Sequence, residues 1–210
     1  MSYEPEAIAD IVAGLVERTG LPPGLRVRID VDESSALQAA TLRSVEPVIL
    51  AVDSGALEDH RRPRRLSAGA TTEVVGRLLL LARDRLDPLF GHPPGALSLA
   101  PAHAGAWDAY AAGRLVRLGC RHFDDRQRQL YYFRCCHGFS DAADAAFAGL
   151  WDAKRLSWAD ITVISDAVSG RVSSATGDSV TDQRTQPTTA RARLGRLKPS
   201  RPTGRKRTEP

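Results

Sequence analysis

The sequence predicts a predominantly helical α+β fold over residues 1–169, two short strands with about six helices, followed by a disordered basic C-terminal tail over residues 170–210. Three observations carry this expectation. Apolar residues recur at three- and four-residue spacing in six separate segments; they alternate with polar residues in one other; and beyond Gly170 no apolar period continues.

In residues 5–18, Ile8, Ile11, Val12, Leu15 and Val16 share one helical face, and Gly20 with Pro22 and Pro23 ends the run. Leu25, Val27, Ile29 and Val31 then alternate with Arg26, Arg28, Asp30 and Asp32, the period of a strand with one wet face. Residues 47–52 are a second strand, rich in β-formers and closed by Asp53-Ser54-Gly55, placed to pair with the first around the 33–46 connection. Residues 58–65 read as a polar loop. A long helix over 70–86 carries Val74, Val75, Leu78, Leu79, Ala82 and Leu86 in one stripe, and Asp87-Pro88 stops it.

Two glycines and two prolines make 91–95 a loop, and a helix over 102–118 ends at Gly119. Three further helices are expected over 124–136, 141–151 and 158–168, the second capped by Ser140 and the third by Ser157. Ser157 and Asp160 have capping-box spacing, with Leu156 and Ile161 at the hydrophobic-staple positions. Past Gly170 the chain turns to Ser, Thr, Gly, Pro and Arg, too few apolar groups to offset the entropy of ordering.

Charge is divided unevenly. The 210 residues carry +4 overall, but residues 170–210 hold ten Lys+Arg against three Asp+Glu, leaving +7 there and −3 on residues 1–169. Attraction to phosphate needs cations on the surface that meets it, so only the tail qualifies globally as a polyanion contact. Arginine far outnumbers lysine, for which a GC-rich coding bias is the simpler account than selection for phosphate contacts. The N-terminal Glu4 and Glu6 stand where an export signal needs basic residues, and no apolar run nears the roughly 20 residues that span a bilayer. Three cysteines cannot complete a paired disulfide framework, which points to a reducing, cytoplasmic location.

Several motifs fall short of a reaction. Cys120, His122, Cys135, Cys136 and His137 are zinc-ligand types, but they sit at opposite ends of an expected helix, roughly 20 Å apart at 1.5 Å per residue. The expectation is therefore no metal and no cofactor, with Cys136 a small core residue and His137 a helix-end cation. Thr72-Glu73-Val74-Val75-Gly76 matches the H-E-x-x-H pattern of zinc peptidases at the glutamate alone, leaving no imidazoles to hold a metal. No nucleophile elbow and no phosphate-binding glycine loop occurs. Leu156-Ser157-Trp158-Ala159-Asp160-Ile161 resembles the opening of the second helix of helix-turn-helix domains, but Asp166 stands near the place of the turn glycine, so Trp151, Trp158 and Phe147 read as core anchors.

Two cationic clusters remain. Arg61, Arg62, Arg64 and Arg65 flank Pro63, and Arg126 and Arg128 are interleaved with Gln127, Gln129, Tyr131 and Tyr132. On an amphipathic helix, Leu130 and Phe133 face inward while Arg126, Arg128 and Gln129 lie outside. With Arg205, Lys206 and Arg207 of the tail, these arginines are the candidate polyanion-binding residues; no catalytic residue is assigned. The leading expectation is a non-catalytic binding or adaptor protein whose tail contacts nucleic acid or an acidic protein. The alternative is a hydrolase or degenerate, metal-less zinc-peptidase-like protein with a cleft near residues 53–76, where His60 and Glu73 would meet.

Overall fold

The alternation of Val27, Ile29 and Val31 with charged residues does build a strand, and residues 47–52 build its neighbour. In the computed structural model, which describes residues 5–59, 61–120 and 125–177, β1 (Val27–Asp32) runs parallel to β3 (Val48–Asp53), Val27 opposite Val48 and Asp32 opposite Asp53. The 33–46 connection is not merely a linker. It contributes β2 (Ala40–Val45), antiparallel to β3, so the sheet order is β1-β3-β2. Its apolar residues Ala40, Leu42 and Val45 lose strict alternation at a register shift between Leu42 and Ser44, which hides the strand from a period-two reading. As the central strand, β3 buries Val48, Leu50 and Val52.

The stretch expected as a polar loop is instead paired: β4 (Glu58–Asp59) bonds antiparallel to β5 (Arg62–Leu66). Pro63 is tolerated because a two-stranded ribbon consists of edges, where a missing N–H need not break a ladder. Among the described residues, five strands in two small sheets thus replace the two expected, while the helix count of six stands. The chain has an α+β, mostly helical fold.

The helices are α1 (Pro5–Thr19), α2 (Ala68–Leu86), α3 (Pro101–Arg117), α4 (Asp125–His137), α5 (Asp141–Asp152) and α6 (Trp158–Gly177). Helix α2 starts earlier than its apolar stripe because Ser67 caps it, its Oγ accepting from the Ala70 N–H at 3.1 Å. It packs against α1, the sheet and α3, closing a first core of Leu15, Leu50, Leu57, Val75 and Leu79. A second core of Trp107, Phe133, Phe147, Leu150 and Ile161 joins α3, α4, α5 and α6. Trp151 and Phe147 are buried in it, and Trp158 packs against it, as expected of anchors.

Helices α3 and α5 meet almost backbone to backbone. A Cβ added at Gly113 would lie 2.1 Å from the Trp151 carbonyl oxygen, so only glycine fits there. Helix α6 opens with the expected capping box: the Ser157 N–H donates to Asp160 Oδ2 at 2.8 Å, and the Asp160 N–H donates to Ser157 Oγ at 3.2 Å. It continues to Gly177, well past the Val168 end expected from apolar spacing; the packed residues 158–168 supply the costly nucleus, and each further residue adds a backbone hydrogen bond. The expectation of disorder for residues 178–210 lies outside the described residues. No helix among the described residues is long and apolar enough to cross a membrane.

Candidate functional site

Helix α2 carries a carboxylate in line with Gly76 and Leu80, on its buried side. Asp84 is 4% exposed. A buried charge must be paired and hydrogen-bonded, and α3 supplies both needs from residues two turns apart on one face. Trp107 Nε1 donates to Asp84 Oδ2 at 2.7 Å, and Arg114 grips both carboxylate oxygens, at 2.7 and 2.5 Å. The Arg114 guanidinium also lies 4.1 Å from the Tyr110 ring centre, and the Tyr110 hydroxyl accepts from the Leu156 N–H at 3.0 Å. One network thereby ties α2, α3 and the segment entering α6.

Asp84 and Arg114 line a cleft of about 660 Å³. Arg83, Lys154 and Arg155 are exposed along it, and Leu89, Phe90 and Leu156 add apolar wall. Its three carboxylates are all engaged: Asp84 with Arg114, Asp87 with Arg155 at 3.9 Å, and Asp160 in the cap of α6. Cations outnumber carboxylates in the lining, so the cleft suits an anionic group.

A second cleft, of about 300 Å³, lies between α2, α3 and α4. Glu73 is ion-paired with Arg128, and Arg77 Nη1 is 3.4 Å from Asp108 Oδ2, so two carboxylates and two guanidiniums share it with Gln38, Gln129 and Tyr132. Gln129 is 5% exposed, against the expectation that it faces solvent with Arg126 and Arg128; the cleft wall, not the helix's own amphipathicity, decides its placement. His60, the other residue expected beside Glu73, lies outside the described residues.

The candidate polyanion-binding residues are spread over different elements. Arg61, Arg62 and Arg65 are exposed on the β4–β5 hairpin, where Asp59 Oδ1 accepts the Arg61 N–H at 2.8 Å; Arg64 is on the same strand. Arg126 lies 3.7 Å from Asp152 and 6.0 Å from the Trp151 ring, and Arg128 reaches Glu73. Both of these α4 candidates therefore have carboxylate neighbours. Arg205, Lys206 and Arg207 lie outside the described residues.

The zinc-ligand residue types are dispersed, and no group of three or more His, Cys, Asp or Glu among the described residues could hold a metal ion. Cys120 is buried after α3, within 3.7 Å of Arg18 Nη1, whereas Cys135 and Cys136 are exposed on α4. Cys136 is thus not a core residue; desolvation still raises its thiol pKa, with Cys135 and Asp108 adding to the rise. His137 is not a helix-end cation either. It is 1% exposed, stacked on Phe133 at 3.9 Å, and burial holds its pKa below the ordinary value. The second core closes over the end of α4, so the helix dipole acts on a ring that has lost its water. His122 lies outside the described residues.

The fold and these clefts define a mostly helical α+β protein with paired ionic groups in its concave surfaces. No protein-family model, curated protein or solved structure matches the chain.

Proposed function

We propose that this protein is a non-catalytic cytoplasmic binding or adaptor protein whose basic C-terminal segment contacts a polyanion, nucleic acid or an acidic protein surface. One observation carries the reading: residues 170–210 hold +7 while residues 1–169 hold −3, and no carboxylate stands between Gln183 and Thr208. An uninterrupted cationic segment releases counterions when it meets phosphates, giving affinity that falls linearly on a logarithmic salt scale. The anion-suited lining of the Asp84 cleft is compatible with a charged partner, and the three free cysteines fit a reducing compartment.

The test is binding of generic duplex DNA and single-stranded RNA by fluorescence anisotropy, for the full chain and for a chain ending at Gly177, across a salt series. Affinity should fall steeply with salt and vanish on truncation. Equal binding by the truncated chain, or none by the full chain, overturns the reading.

The alternative is a hydrolase or metal-less peptidase-like protein centred on the α2 cleft. What favours it is the gathering of Glu73, Arg77, Asp108 and Gln129 around about 300 Å³. Against it, the Glu73 carboxylate is taken up by Arg128. Cleavage of a peptide or ester library by the wild type, lost in Glu73→Gln, would favour this alternative over the binding reading.

A further inference from the structure

The three-stranded sheet ends at β1, and its order leaves one side of that strand without a neighbour among the described residues. The Val48 N–H donates to the Arg26 carbonyl at 3.0 Å, and successive residues of a strand point their backbone groups to opposite edges. Arg28 and Asp30 therefore bond β3, while the N–H and C=O groups of Val27, Ile29 and Val31 point to the open edge. An open edge is a template for another strand, and natural sheets cover or charge it.

The apolar face of β1 is also left short of cover. Val27, Ile29 and Val31 are only partly buried, whereas Val48, Leu50 and Val52 of the neighbouring strand are buried. With Ile8, Ala9 and Val12 of α1 they line a groove of about 520 Å³. Partial burial of this apolar wall leaves stabilisation available to whatever extends the sheet.

The order of charges along β1 states what that occupant is. Read about Ile29, β1 with the residue before it is Arg26-Val27-Arg28-Ile29-Asp30-Val31-Asp32: apolar residues mirror apolar ones and cations mirror carboxylates. We propose that a second copy of this chain occupies the edge, β1 pairing antiparallel with β1 about a two-fold axis through Ile29. In that register Ile29 faces its own copy and Val27 faces Val31, pairs whose backbone groups already point outward and can exchange both N–H···O bonds. On the opposite face Arg28 meets Asp30 of the second copy and Arg26 meets Asp32.

Other registers are disfavoured by like charges. An axis through Val27 sets Arg26 against Arg28, one through Arg28 sets that residue against itself, and axes through Asp30 or Val31 oppose carboxylates. Directly opposed like charges destabilise a sheet, so charge selects the Ile29 register. In the single chain Arg28 Nε bonds Asp30 Oδ1 at 2.6 Å, with the side chains 70% and 43% exposed. Exposed as it is, that pair is weakly held and free to exchange for the cross-strand partners.

The experiment is the mass of the full chain by sedimentation equilibrium over a wide concentration range, for wild type, Arg28→Asp, Asp30→Arg and the double exchange. Wild type and the double exchange should dimerise. Each single variant, which opposes like charges twice, should dimerise at least about tenfold more weakly. An equimolar mixture of the two single variants should regain the dimer, because at positions 28 and 30 each carboxylate of one chain then faces a guanidinium of the other. A monomeric wild type at every concentration, single variants as dimeric as wild type, or a mixture that stays monomeric overturns the proposal. If a single variant fails to fold, hydrogen exchange of wild type decides: Ile29 and Val31 N–H protection must rise with protein concentration, and concentration-independent exchange overturns it equally.

Discussion

His137 of α4 and Ser165 of α6 meet inside the second core, Nε2 and Oγ 2.9 Å apart, with the His137 Nδ1 3.0 Å from the Phe133 carbonyl. A carbonyl only accepts, so Nδ1 carries the proton, and Nε2 of the neutral ring accepts from the Ser165 hydroxyl. A protonated ring would turn Nε2 into a donor within the same desolvated space.

Stability should consequently fall in mild acid. Burial, aided by His103, holds the His137 pKa below its ordinary 6.5, so the unfolded chain binds the proton more readily than the folded one. The contribution is complete above the unfolded value and is lost as pH drops from about 6.5 towards the lower folded value. Urea denaturation across this window should show stability rising with pH, and His137→Gln should flatten that slope. An unchanged slope in the variant would assign the effect elsewhere.

Removing one partner of the Asp84–Arg114 pair should be costly. Asp84→Ala strands a guanidinium that is 12% exposed and leaves the Trp107 N–H without its acceptor. Losses of about 3–5 kcal/mol are typical when a buried pair is broken. Chemical denaturation measures it directly, and a loss below about 1 kcal/mol would mean that water reaches Arg114 in solution.

Two glycine substitutions should act with opposite sign. Gly113→Ala forces a Cβ onto the Trp151 carbonyl and should separate α3 from α5 at about 1–3 kcal/mol or more. Gly149→Ala, on α5 with nothing within 4 Å of the added carbon, should stabilise by about 0.4–1 kcal/mol by restricting the unfolded chain. Thermal melts of the two variants compare them; equal melting temperatures would contradict the close helix contact.

Residues whose environment is set by their neighbours in sequence are legible there. The Ser157–Asp160 cap, the β1 alternation and the helix-ending Gly119, with its positive φ, depend on atoms a few positions away. Strand β2 is hidden because a register shift breaks its alternation, and β4–β5 because arginine and proline resemble a loop until a partner strand is present. Of the site residues, Asp84 carries a faint signal, a carboxylate continuing the Gly76-Leu80 line of α2, while the burial of Gln129 and His137 carries none.

The sequence by itself determined the six helical segments, the strands β1 and β3, the Ser140 and Ser157 caps, and how charge divides between residues 1–169 and 170–210, because each follows from local geometry or from counting. Tertiary structure alone decided that Glu73 pairs with Arg128, that Asp84 pairs with Arg114, and that His137 is a buried core residue whose pKa burial holds down. Those outcomes rest on contacts between residues 28 to 55 positions apart and on the water they exclude, and desolvation is a property of the packed assembly that no window of sequence contains.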